Sequence, residues 1–116
     1  MKKIRWAVHK NIFNGWLLVN KPAGITSADV VRVLKRKMNP TKIGHAGTLD
    51  PDARGLIPLA LGEATKAIPY LLKSKKKYEA TFLYGVKTDT DDASGNTLKA
   101  SFYVPRKNEI LDALEY

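Results

Sequence analysis

Glycine and proline interrupt this 116-residue chain so often that no apolar run lasts more than a few residues. Short strands and short helices are therefore the only units it can build. A membrane-spanning helix needs about 20 predominantly apolar residues, and no stretch approaches that. The N-terminal MKKIRWAVHKN is basic but lacks an apolar stretch of signal-peptide length. Hydrophobic residues make up 44% of the chain, enough to fold rather than stay disordered. With no cysteine there is no disulfide and no thiolate metal site, which fits a reducing compartment. The expectation is a soluble, cytoplasmic protein with one domain and a modest core.

Between the interruptions, strands and helices alternate. GWLLVNKPAG reads as a buried strand over Trp16–Asn20, stopped by Pro22 and Gly24. Thr26 then opens a helix, with Asp29 at capping-box spacing. Val30, Val33, Leu34 and Met38 form its apolar face, Arg32, Lys35 and Arg36 its solvated face, and Asn39-Pro40 its end. Lys42–Leu49 reads as a strand running into the loop at Asp50, and Leu56–Leu61 as another. Ala64, Ala67, Ile68, Leu71 and Leu72 suggest a helix near residues 65–75, which must start close to Pro69 or kink there. Tyr78, Ala80, Phe82 and Tyr84 alternate with Glu79, Thr81 and Leu83, the period of a half-buried strand. TDTDDASGN is a turn-rich acidic loop, and EILDALEY has an amphipathic helical pattern. The class is mixed α/β, with a mixed sheet flanked by helices.

Charge narrows the choice of partner. The chain carries 20 Lys and Arg against 11 Asp and Glu, a net +9. The excess is uneven: residues 1–78 hold sixteen basic and four acidic side chains, residues 79–116 four and seven. Such a field attracts polyanions, and nucleic acid is the usual one. A merely soluble basic protein and a membrane-surface binder are the alternatives.

The familiar metal and phosphate motifs are missing. TDTDDASG fails as a calcium loop, because Ala93 and Ala100 stand where ligands are needed. His9 and His45 have no third ligand clustered with them. No GxxxxGK[ST], GxGxxG or GxSxG motif occurs. What remains is GHAGTLDPDARG, in which Asp50 precedes a proline among glycines. An Asp-Pro pair often serves only as turn chemistry, with the carboxylate capping backbone donors. The functional alternative is a carboxylate held at the end of a strand, where small neighbours admit a substrate.

Three blocks, GWLLVNKPAGITS, KIGHAGTLDPDARGLIPLALGEATK and KKYEATFLYGVKTDTDDASGN, closely resemble the N-terminal part of the bacterial tRNA pseudouridine-55 synthase (TruB) family. The resemblance covers roughly residues 14–96. It implies that Asp50, in GTLDP, is the catalytic nucleophile. It also implies that Tyr78 packs on the target uracil and that His45 meets the tRNA loop where the base leaves its stack. Gly47 and Thr48 line the substrate side, and Lys21 and Pro22 support the floor of the site. Asp89 and Asp92 belong to a family signature to which a structural role is assigned.

The implied reaction breaks the N1–C1′ bond of the T-loop uridine of tRNA (position 55), turns the base and rejoins it through C5. It needs no cofactor and no metal. The implied partner is the T-arm of tRNA, without a membrane. Residues 1–116 would form the N-terminal part of the catalytic domain. The second half, a C-terminal RNA-binding domain, the arginine that pairs with the carboxylate and an apolar wall of the pocket would lie outside them. The chain alone is then expected to be poorly active, with open sheet edges and uncovered apolar faces. It would be a truncated product, one half of a split protein whose partner chain carries the rest, or an incomplete record. Two other readings stay open: an RNA-binding remnant without catalysis, and a guide-RNA-dependent relative acting on ribosomal RNA.

Overall fold

In GWLLVNK the side chains of Leu17, Val19 and Lys21 turn inward while Trp16, Leu18 and Asn20 face out, the two-residue period of a strand covered on one side. This strand, β1 (Gly15–Lys21), belongs to a computed structural model that describes residues 11–115. His9, the basic N-terminal residues 1–10 and Tyr116 lie outside the described residues. The chain divides into two units, Met1–Lys76 and Lys77–Tyr116.

The first unit is built on a three-stranded antiparallel sheet. Strand β3 (Gly55–Leu61) lies in the middle, with β1 on one edge and β2 (Ile43–His45) on the other. Leu17 is opposite Leu59 and Val19 opposite Ile57, so the inward residues of both strands share one face. An isolated parallel bridge also joins Asn11 to Pro40.

Helix α1 (Ser27–Met38) covers that face. Its N-cap is Thr26, whose hydroxyl accepts from the Asp29 amide at 3.0 Å while Asp29 Oδ2 accepts from the Thr26 amide at 3.0 Å. The expected capping box is thus formed, and it satisfies two amides that a helix start leaves orphaned. Val30, Ile57 and Leu59 make the buried centre, with Leu17, Val19, Ile25, Val31, Leu34 and Leu49 packed around it. Each fully buried side chain of this size stabilises by roughly 1.5–3 kcal/mol. Val33, expected on the buried face, is exposed. The stripe that meets the sheet runs through 27, 30, 31 and 34, and Val33 falls beside it.

The strand expected over Lys42–Leu49 is shorter than its residues suggested. β2 ends at His45, and Pro58 is the reason. Ala46 donates its amide to the Pro58 carbonyl at 2.8 Å, but proline has no N–H to return the bond. The ladder is broken on that edge, and the chain leaves the sheet to form the loop that carries Asp50.

The helix expected near 65–75 resolves into a 3-10 turn, Gly62–Ala67, followed by α2 (Ile68–Leu72). Pro69 sits in the first turn of α2, where its missing donor would be unpaired anyway. Lys76 Nζ caps the far end, donating to the carbonyls of Leu72 at 2.8 Å and Ser74 at 2.9 Å.

In the second unit, β4 (Val86–Thr88) and β5 (Thr97–Ala100) form an antiparallel ribbon closed by the acidic loop. Helix α3 (Lys107–Leu114) follows. The strand expected over Tyr78–Tyr84 is absent: all seven residues are exposed, 78–83 are irregular and Tyr84 begins a turn. Alternation alone does not make a strand. It needs a partner ladder, and among the described residues none pairs with this segment.

Candidate active site

Asp50 opens a tight turn, its carbonyl accepting from the Ala53 amide at 3.1 Å with Pro51 at the second position. The turn-capping alternative makes a testable demand, that the Asp50 carboxylate take backbone donors. It does not. Among the described residues none donates a hydrogen bond to that carboxylate and no cation lies within ion-pair distance of it, and Asp50 is exposed. The turn is made by backbone and proline, and the acid is unspent.

The backbone on each side of Asp50 is held from beneath. Lys21, at the inward end of β1, is 0% exposed. Its Nζ donates to the carbonyls of Pro22 at 2.9 Å, Ile25 at 2.7 Å and Pro51 at 2.9 Å. Three donors meet three acceptors, which is how a buried ammonium avoids the cost of desolvation without a carboxylate. The same Pro51 carbonyl accepts from the Gly24 amide at 2.8 Å, and Gly24 can turn there because it adopts φ +88. Lys21 therefore ties the NKPAG turn to the Asp50 turn. Its donors are used by the chain's own backbone, so they tie the two turns together rather than reach toward a ligand.

Ser27 performs the matching task before Asp50. Its hydroxyl accepts from the Leu49 amide at 3.0 Å and donates to the Leu49 carbonyl at 3.2 Å. The motif reading passed over this residue. The signal was available: Ser27 is a polar side chain at the head of an otherwise apolar helical stripe, beside a threonine that already caps the helix.

His45 and Gly47 shape the approach to the turn. The His45 Nδ1–H donates to the Gly47 carbonyl at 2.7 Å, since a carbonyl can only accept. Gly47 has φ +124, a conformation closed to ordinary side chains, although a Cβ there would meet nothing closer than Lys76 Cε at 4.0 Å. Its glycine is required by backbone shape and not by crowding. Thr48 is exposed next to it. Asp50, Lys21, His45, Gly47 and Thr48 thus gather around one loop of the first unit. Tyr78 belongs to the second unit, where it is 69% exposed, so it is not a core aromatic.

The signature acids of the second unit are used within their own loop. Asp92 Oδ1 accepts from the Ser94 amide at 2.8 Å, the Ser94 hydroxyl at 2.6 Å and the Thr90 hydroxyl at 2.8 Å. These bonds, the Ser94 hydroxyl first, hold its pKa below the ordinary carboxylate value. Asp89 accepts from the Asn96 amide at 2.8 Å. Among the described residues no group of three or more His, Asp or Glu could hold a metal ion, and no helix is long and apolar enough to cross a membrane.

The first unit is a small mixed α+β scaffold that pins a short loop from both sides. It presents two exposed acids there, Asp50 and Asp52, neither with a hydrogen-bond or ion-pair partner for its carboxylate among the described residues: a carboxylate-presenting module. The family described as TruB family pseudouridylate synthase (N terminal domain) matches residues 35–116, and the chain belongs to that family. Proteins called tRNA pseudouridine synthase B are similar to it. That of Paracoccus denitrificans is 50% identical over 101 residues, covering 87% of this chain and 34% of the relative. That of Roseobacter denitrificans is 48% identical, with 87% and 33% covered, and that of Alkaliphilus oremlandii 45%, with 87% and 34% covered. The chain spans about a third of the length of the curated relatives it matches. A solved structure of an H/ACA RNP bound to a substrate RNA containing 2′-deoxyuridine is 45% identical over 50% of this chain and 18% of that one, at a TM-score of 0.48.

Proposed function

We propose that residues 1–116 are the N-terminal part of the catalytic domain of a tRNA pseudouridine synthase, and that Asp50 is its nucleophile toward the T-loop uridine, position 55. The observation that carries the reading is the Asp50 carboxylate: exposed, unspent, and mounted on a turn whose neighbours are both hydrogen-bonded to buried side chains. Membership of the pseudouridylate synthase family supplies the reaction class.

The chemistry suits a carboxylate nucleophile. The carboxylate adds to C6 of the uracil or attacks C1′ as the base departs. The N1–C1′ bond breaks, the base turns and a C5–C1′ bond forms; the bond to Asp50 is broken to regenerate the carboxylate, C5 gives up its proton, and N1, freed from the sugar, takes one up. Atoms are conserved, so no cofactor is consumed. The uridine must leave its stack first, at a cost of a few kcal/mol, and stacking on an exposed aromatic such as Tyr78 returns roughly 1–3 kcal/mol. The excess of positive charge over residues 1–78 supplies the attraction to tRNA phosphates.

The test is tritium release from tRNA carrying C5-labelled uridine, incubated with the intact protein that contains this chain. Release from the T-loop position supports the reading. Tight tRNA binding without release favours the RNA-binding remnant, and release only with a guide RNA favours the ribosomal RNA relative.

A further inference from the structure

Positioning a nucleophile demands more than placing its residue in a loop. A misplacement of about 1 Å can cost about 100-fold in rate, so a short exposed turn is a poor mount unless something fixes it. The two peptide groups flanking Asp50 are fixed by different means. After it, the Pro51 carbonyl takes the Lys21 ammonium and the Gly24 amide. Before it, both polar atoms of the Leu49 backbone are taken by one hydroxyl, that of Ser27.

Ser27 is free for this because of how the helix begins. A serine in the first turn of a helix usually competes to cap it. Here Thr26 and Asp29 satisfy the helix start between them. The 27, 30, 31, 34 stripe then turns Ser27 inward, where it is 2% exposed. The Leu49 side chain packs against the Val30, Ile57, Leu59 cluster, so Leu49 is anchored through its side chain and its backbone alike. The hydroxyl contributes what packing cannot, a fixed orientation of the peptide that leads into Asp50.

We infer that Ser27 is a positioning residue for catalysis, which holds the Leu49 peptide so that the Asp50 carboxylate meets its target at a fixed angle. The inference rests on the proposed role of Asp50. It assigns Ser27 no contact with RNA and no part in proton transfer.

The experiment compares Ser27→Ala, Ser27→Cys and Asp50→Ala in the intact protein that contains this chain. Turnover of tRNA uridine is counted per molecule able to bind tRNA, and exchange of the Leu49 and Leu59 amides is followed by NMR. Ser27→Ala is expected to lower kcat by roughly 10- to 100-fold, with KM within about two-fold. The Leu49 amide should exchange faster while the Leu59 amide does not. Ser27→Cys keeps the volume but hydrogen-bonds weakly, so it should show a smaller loss with the same split, and it carries the test if Ser27→Ala does not fold. Folded variants with wild-type kcat, or a loss accompanied by equally fast exchange at Leu59, would overturn the inference. If Asp50→Ala is inactive while the Ser27 variants turn over normally, this inference alone fails. If Asp50→Ala turns over normally, the proposed nucleophile fails and the inference with it.

Discussion

The Lys21 ammonium lies 2.9 Å from the carbonyl oxygen of Pro51, thirty residues along the chain, and is closed off from solvent. It joins the end of β1 to the turn that presents Asp50. Replacing it with methionine keeps most of the apolar stem and leaves the Pro22 and Ile25 carbonyls without a donor, while the Pro51 carbonyl keeps the Gly24 amide. Leaving buried acceptors unsatisfied costs about 1–3 kcal/mol for each, and part of that is relieved by water. Lys21→Met is therefore expected to lose about 3 kcal/mol of stability, read from the denaturation midpoint, with faster exchange of the Gly24 amide.

The core offers a sharper contrast within one sheet. Leu59 has no exposed surface, whereas Leu18 on the facing strand is 63% exposed. Leu59→Ala should destabilise by about 2–5 kcal/mol. Leu18→Ala should cost less than about 1 kcal/mol. Urea titration of the two variants checks the ranking.

The start of α1 has a pH signature. The Thr26 hydroxyl, then the Thr26 amide, and to a lesser degree Arg32 hold the Asp29 carboxyl below its usual value. A lowered folded-state pKa stabilises above the unfolded value, and that contribution disappears as pH falls through the folded one. The stability gap between wild type and Asp29→Asn should thus be full at neutral pH and should close below about pH 4. Thr26→Ala, which removes the cap itself, should cost about 1 kcal/mol.

Affinity for tRNA is expected to fall steeply with salt. Lys73, Lys75 and Lys77 are exposed, whereas Lys76 is occupied at the end of α2. Neutralising one of the exposed three to glutamine should lower the slope of log K against log salt by about 0.7–0.9 if it meets a phosphate. Lys76→Gln should act chiefly on stability.

Much of the first unit could be read directly because its local signals agree with one another. The apolar runs of β1 and β3 and the Thr26–Asp29 box each have one sensible solution, although β1 is covered on one face only and exposes Trp16 and Leu18 where a buried strand is expected. Two departures share a physical origin: where a segment stops depends on a partner distant in sequence. β2 ends at His45 because Pro58 cannot return a hydrogen bond, and Tyr78–Tyr84 is not a strand because no described neighbour pairs with it. Val33 was misplaced by one position on a helical stripe. At the site, Asp50 and the loop around it were found from motif blocks. The Ser27–Leu49 contact joins residues 22 apart, so the local sequence shows a polar residue at the head of an apolar stripe but not the partner it meets.

The central claim is that the Asp50 carboxylate acts on uridine. Its most direct test is C5-tritium release from T-loop uridine by the intact protein with Asp50→Asn, which alters only the charge and one acceptor, measured alongside tRNA affinity. The account expects release to fall by at least about 1,000-fold, as losing a covalent nucleophile does, with affinity nearly unchanged. Release at a rate near wild type would contradict it.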